Sequence, residues 1–183
     1  MKTNLFGKST RYLNWVTKLD ERTCVPCKDL NGKIYVRGEE IDPKPPLHLH
    51  DRCRIKAMKC VEAGEATDLE LDGADYWIYY YDALPDYYLR KPLAEKAGWK
   101  RGKNTLDQVL PGMMIGGDIY HNRDGHLPDL PGRVWYEADL DYYGGKRGTK
   151  RLLYSNDGLL FVSYDHYHTF VEVVDNDAQW RFA

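Results

Sequence analysis

The feature that most constrains the fold is a series of short strand-like segments that begins at residue 115 and runs almost to the end of the chain. The sequence predicts strands over 115–120, 133–140, 151–155, 159–164 and 168–174. Turn signals at Asp124 and Gly125, at Gly144 and Gly145, and at Asn156, Asp157 and Gly158 separate them. Links of this kind favour an antiparallel meander. Ahead of it, residues 71–83 (LDGADYWIYYYDA) predict a helix with Asp72 as its N-cap and an aromatic face for core packing, ended by Leu84 and Pro85. A second short helix covers 93–98, closed by Gly98 with Trp99 packed inside, and a further helical turn covers 105–109. Helices first and a meander after them make an α+β fold, with the helices packed on an antiparallel β-sheet.

The first 60 residues differ in kind. All four cysteines lie there, at 24, 27, 53 and 60, and the rest of the chain has none. Asn31 and Gly32 form a turn signal, and the proline run at 43–46 excludes a helix. A segment this small and turn-rich buries little core and commonly relies on a metal, a disulfide or a partner. The expected organisation is a Cys/His-rich module over 1–60, an acidic linker over 61–70 and a larger domain over 71–183. Charge follows the same division. Residues 1–60 carry 13 Lys and Arg against 7 Asp and Glu, whereas 61–83 carry 7 acids and no base.

Cys24 and Cys27 form a C-x₂-C pair, and His50 and Cys53 form an H-x₂-C pair. Paired thiolates and imidazole at these spacings suit tetrahedral zinc. Cys24, Cys27, His50 and Cys53 are the simplest ligand set, with His48 or Cys60 as substitutes; a disulfide or free thiols are the alternative. Four protein ligands leave no open position, so the expected role is structural. No cofactor is expected for catalysis.

The stretch 115–169 also holds a carboxylate, Glu137, a histidine, His166, and the arginines 123, 147 and 151. Those are the groups that RNA cleavage without a metal needs: a base for the ribose 2′-hydroxyl, an acid for the leaving 5′-oxygen, and fixed cations for the phosphate. Taken singly, a strand glutamate is usually a solvated residue and a histidine usually structural; His126 and His168 are read as structural here. The near-neutral charge of the C-terminal part argues against broad coating of duplexes but permits a local cationic site.

Residues 84–172 resemble the barnase-like, guanyl-specific bacterial ribonucleases without a gap. The resemblance rests on Leu84, Pro85, Asp86, Lys91, Gly98, Trp99, the IGGDI run at 115–119, Asn122, Arg123, Gly132, Arg133, Trp135, the EAD run at 137–139, Arg147, Arg151, the LYS run at 153–155, and Asp165, His166, Tyr167, Thr169 and Phe170. It implies the microbial ribonuclease fold and an endoribonuclease that forms and then opens a 2′,3′-cyclic phosphate. It also implies Glu137 as general base, His166 as general acid, and Lys91, Arg147 and Arg151 as phosphate-stabilising cations. Tyr120, His121, Asn122, Arg123 and Asp124 fall on the family's guanine-reading loop, and Tyr167 beside the base. Asp124 is one methylene shorter than the family's glutamate, and His121 replaces a small serine.

Residues 10–56 resemble the phage Mu F-like head morphogenesis module through Trp15, Thr17, Asp20, the RTC run at 22–24, Cys27, Leu30, Gly32, the PPLH run at 45–48, Cys53 and Arg54. Such modules precede toxin domains in polymorphic toxins. The pairing implies a bacterial toxin with an RNA substrate and an acidic immunity protein, barstar-like or unrelated, as inhibitor. No run is long and apolar enough for a membrane span. The start lacks the apolar core of a secretory signal. The expectation is synthesis in the bacterial cytoplasm, export by a non-Sec route and action in a target cell's cytoplasm. Two other readings stand beside it: a phage or prophage head-associated structural protein with an inert nuclease domain, and a zinc-dependent DNA nuclease.

Overall fold

The computed structural model describes residues 7–175. Among them nine strands join one sheet: β1 (Gly7–Val16), β2 (Ile34–Val36), β3 (Arg54–Glu62), β4 (Tyr88–Leu89), β5 (Met114–Tyr120), β6 (Trp135–Asp139), β7 (Arg151–Ser155), β8 (Leu160–Ser163) and β9 (Val171–Val174). Their spatial order is β2-β1-β3-β9-β8-β7-β6-β5-β4. The helices are α1 (Val25–Asp29), α2 (Ala74–Tyr81), α3 (Lys91–Lys96) and α4 (Leu106–Val109). None of the described helices is long and apolar enough to cross a membrane.

The five strands predicted from residue 115 onward all form, and β5 to β9 make the expected antiparallel meander. The last starts at Val171 rather than 168, because Asp165 accepts from the Thr169 amide and hydroxyl and keeps that segment in a loop. The sheet is not purely antiparallel. β4 pairs parallel with β5 across a connection that holds α3 and α4, and β3 pairs parallel with β9. Parallel neighbours need a crossover of a dozen or more residues, and both pairs have one.

Residues 61–70, expected as a linker, are built into the molecule. Val61 and Glu62 end β3 opposite Val173 and Val174, and the Ala63 amide donates to the Val174 carbonyl. Val61, Ala63, Ala66 and Thr67 are buried. The small residues that suggest flexibility are small because they lie beneath α2. The fully buried Asp75 on that helix accepts from the amides of Gly64 (2.7 Å) and Ala66 (3.1 Å) and from the Thr67 hydroxyl. The helix itself runs from Ala74, not 71. Gly73 occupies the N-cap position, and Asp72 closes a short 3₁₀ turn before it.

Side chains alternate across the sheet with a period of two. Ala138, Leu152 and Val162 face α2, packing with Ala74 and Ile78. Trp135, Leu153 and Phe161 face the other way, against Leu127, Phe170 and three residues of the N-terminal strands, Tyr12, Ile34 and Met58. Each large side chain fully buried there contributes roughly 1.5–3 kcal/mol. By the same alternation Glu137, Asp139 and Arg151 share the second face. Trp99, Leu106, Met114, Ile115 and Tyr142 hold α3 and α4 against the far edge. Trp15, Tyr35, Cys27 and Cys53 form a small core of their own.

Candidate active site

Glu137 lies at the centre of β6, opposite Leu153 of β7 and Asp118 of β5. Its carboxylate is mostly buried and both oxygens are engaged. Lys91 Nζ donates to Oε1 at 2.5 Å, and the Tyr167 hydroxyl donates to Oε2. Lys91 begins α3, and its backbone amide donates to Asp118 Oδ2 at 2.9 Å, so Asp118 seats the residue that pairs with Glu137. Burial alone pushes the Glu137 carboxyl up. The hydrogen bonds from Lys91 and Tyr167 and the charges of Lys91 and Arg151 outweigh it, holding the group below its ordinary value and ionised. Each carboxylate oxygen has a second lone pair, so the group can still accept a proton from substrate.

His166 and Tyr167 occupy the turn after β8, both in the left-handed region (φ 58° and 72°). Two adjacent non-glycine residues there are costly unless the surroundings impose them. Asp165 and Ser163 do so. Ser163 Oγ donates to Asp165 and accepts from the Tyr167 amide at 2.7 Å, Asp165 accepts twice from Thr169, and the His166 amide donates to the Thr149 carbonyl. The His166 ring centroid lies 4.7 Å from that of Tyr167, which stacks in turn on Tyr120 at 5.1 Å. Partial burial and the positive charges of Arg151, His168 and Arg147 lower the pKa of His166; Glu137 opposes them and loses.

Asp139 gathers the arginines. Arg147 grips it through two nitrogens, Nε at 2.5 Å and Nη2 at 2.7 Å. Arg151 Nε lies 3.2 Å from the same carboxylate without aligning its hydrogen, and it is a buried donor with no hydrogen-bond acceptor. Arg151 Nη1 donates to the carbonyls of Gly148 and Lys150. The guanidinium is therefore fixed, with its Nε enclosed beside Asp139.

The loop between β5 and β6 folds on itself. The Asn122 side chain accepts from the Leu127 amide at 3.0 Å and donates to the Leu127 carbonyl at 2.9 Å. His121, Arg123 and Asp124 are exposed on it. Of the predicted base-reading residues, Tyr120 and Tyr167 come together as a stack, whereas the Asn122 side chain is committed to its own loop.

A family model described as ribonuclease matches residues 77–174. The chain belongs to the ribonuclease family. It is 44% identical over 102 residues, 56% of its length, to a ribonuclease of Heyndrickxia coagulans, of which it spans 94%. It is 44% identical over 102 residues to ribonucleases of Bacillus intermedius and Bacillus pumilus, of which it spans 63%.

In this ribonuclease, Lys91, Glu137, Arg147, Arg151, His166 and Tyr167 converge on one face of the sheet. Asp139 has no place among the predicted site residues, yet it lies against both arginines. The signal lies in the strand register, which sets Asp139 directly opposite Arg151. The Tyr167 hydroxyl bond to Glu137 has no counterpart in the sequence reading either.

The cysteine cluster differs from the predicted set in one ligand. The four cysteines are unbridged. Cys24, Cys27 and His48 bring their ligand atoms together, with His48 Nε2 at 3.1 Å from Cys24 Sγ and 3.4 Å from Cys27 Sγ; Cys27, Asp51 and Cys53 form an overlapping group. His50 is exposed in a left-handed turn (φ 67°) and joins neither group, so His48 takes its place. Cys60 lies away on β3. The two groups share Cys27, and their thiols and imidazole are donors of the kind zinc takes, so Cys24, Cys27 and His48 would hold it with Cys53 or Asp51 beside them.

Proposed function

We propose that this chain is a metal-independent endoribonuclease that cleaves RNA after guanosine through a 2′,3′-cyclic phosphate. One observation supports it above the others. Ionised Glu137 sits between Lys91 and Tyr167, with the His166 ring packed on that tyrosine and the Arg151 charge acting on both Glu137 and His166. Glu137 takes the proton of the 2′-hydroxyl as the 2′-oxygen bonds to phosphorus. The bond from phosphorus to the 5′-oxygen breaks, and His166 gives that oxygen a proton. Water then opens the cyclic ester with the roles exchanged, leaving a 3′-phosphate. Arg147, Arg151 and Lys91 stabilise charge on the phosphoryl oxygens. Tyr167 supports the base, and residues 120–124 select guanine.

The test is cleavage of mixed-sequence RNA in excess EDTA, with fragment ends mapped. Products that end in guanosine 2′,3′-cyclic phosphate are expected. Loss of cleavage in EDTA, or 5′-phosphate ends, would discard the reading. The same incubation reports on the cysteine cluster, which we assign to a structural zinc. Zinc is expected at about one per chain before chelation, in keeping with a closed four-ligand site, and Cys27→Ser is expected to abolish it; a preparation with no zinc rejects the assignment.

The two pKa shifts give the pH profile expected of this mechanism. Glu137 acts deprotonated, so kcat/KM rises as pH climbs through its depressed pKa. His166 acts protonated, so kcat/KM falls as pH climbs through its own depressed pKa. The expected profile is a bell whose alkaline limb lies below the ordinary histidine value of 6.5. An alkaline limb above that value would contradict the placement of His166 among the arginines.

The N-terminal module fits a delivery role of the phage Mu F-like kind, and a toxin exported to act in another cell's cytoplasm is the biological setting proposed. A cationic cleft of this form calls for an acidic protein inhibitor in the producing cell. Barnase with barstar shows how strong such charge pairing across an interface can be, and this inhibitor need not resemble barstar. Expression in a bacterial cytoplasm is expected to arrest growth for the wild type and not for Glu137→Gln. Arrest by both would show that toxicity has another source.

A further inference from the structure

Three contacts tie the N-terminal unit to the two loops of the active site, and His126 makes two of them. This buried residue closes the loop that begins at His121. Its Nε2 donates to the carbonyl of Asp29 at 2.7 Å, at the end of α1. A helix leaves its last carbonyls without partners, and this bond satisfies one of them. The His126 carbonyl accepts from the amide of Ile34, the first residue of β2, at 2.8 Å. Its ring meets the edge of Phe170, which follows the His166 turn. The third contact is the turn at Asn31 and Gly32. A Cβ on Gly32 would lie 2.2 Å from the His168 carbonyl oxygen, and its φ of +92° is already one that favours glycine, so the two backbones touch.

We propose that His126 is a positioning residue for base selection. It anchors the loop carrying Arg123 and Asp124 to α1 and β2, and so makes the N-terminal unit part of the specificity apparatus of the nuclease. The inference rests on the reading of that loop as the guanine reader. Asn122 closes the loop upon itself, but a closed loop still swings about its ends. The donor from His126 and the acceptor to Ile34 fix one of those ends on a separate support, the end of α1 and the buried start of β2. Guanine binding to an oriented loop costs less than binding to one that must first be ordered. A residue with this role affects KM for guanine-containing substrates and leaves the proton transfers alone.

The experiment uses the full chain as wild type, His126→Ala and His126→Gln, the glutamine amide being able to donate to the Asp29 carbonyl. Steady-state kinetics are measured on guanylyl and adenylyl 3′,5′-dinucleotides, and amide hydrogen exchange on the free proteins. His126→Ala is expected to raise KM for the guanylyl substrate about tenfold, equivalent to about 1.4 kcal/mol, with kcat nearly constant and the adenylyl substrate little affected. Exchange at Ile34, Gly125 and Leu127 is expected to quicken in the same variant, and His126→Gln to return both readouts towards wild type. A loss in kcat shared by both dinucleotides, glutamine behaving as alanine, or no change overturns the proposal. Should the wild type show no guanine preference, the reading of the loop falls first; the anchoring role is then decided by exchange alone, and unchanged rates in His126→Ala reject it.

Discussion

Glu137→Gln and His166→Asn are each expected to lower RNA cleavage by roughly 10²–10⁴-fold, the range a positioned proton transfer supplies. The two substitutions isolate chemistry from structure. Glutamine at 137 keeps the shape and can still accept from Tyr167, but it cannot hold a negative charge beside Lys91 or take up a proton at catalytic pH. Asparagine at 166 tolerates the left-handed backbone that the turn imposes there, which alanine would not do as well. His166 is exposed, so little packing is lost. Under the proposed mechanism both steps should fall together, because the base of the first would be the acid of the second. The double variant should be scarcely worse than either single one, since groups that act as a unit are not additive. The measurement is single-turnover cleavage of a guanylyl dinucleotide with stability followed in parallel. Activity within tenfold of wild type in either variant, with the fold intact, would move the chemistry to other residues.

The parts of the fold that are legible in the sequence are those decided by near neighbours. Short turns at Asn156, Asp157 and Gly158 leave β7 and β8 no arrangement but a hairpin. The parts that are not legible depend on distant partners. Nothing local indicates that Val61 lies opposite Val173, so the segment after β3 reads as a linker when its alanines are small for packing. The candidate site divides in the same way. Glu137 and His166 lie on different elements, and each alone resembles an ordinary surface residue; the family resemblance, not their spacing, singles them out. The choice between His48 and His50 turns on backbone conformation. His48 turns Nε2 to two thiols while its Nδ1 meets the Leu49 carbonyl at 2.9 Å, a geometry no spacing rule contains. His126 reads as structural, and its hydrogen bonds are with backbone, but the element it holds is the proposed base reader.

Asp139→Ala is expected to be the most destabilising single change in the catalytic face, by about 3–5 kcal/mol, the cost of removing one partner from a buried ion pair. The carboxylate is almost wholly enclosed, its side chain 4% exposed, and it faces two guanidiniums, with Arg147 19% and Arg151 7% exposed. Its removal leaves two like charges together in a poorly solvated site with no anion between them. Arg151 keeps its bonds to the Gly148 and Lys150 carbonyls, but neither carbonyl neutralises a charge. Asp139→Asn should fall between, because the amide oxygen still accepts one guanidinium bond. Replacing Arg147 alone should cost less than replacing Asp139, since Arg151 remains beside the carboxylate. The midpoint of denaturant unfolding orders the three variants, and a cleavage assay far below that midpoint reports the second consequence. Phosphate binds to cations already held in place, so Asp139→Asn should retain a folded population with impaired kcat. Equal stabilities of Asp139→Ala and the wild type would mean that the two arginines are solvated on their own. The fixed cationic floor of the site would then have to be sought in Lys91.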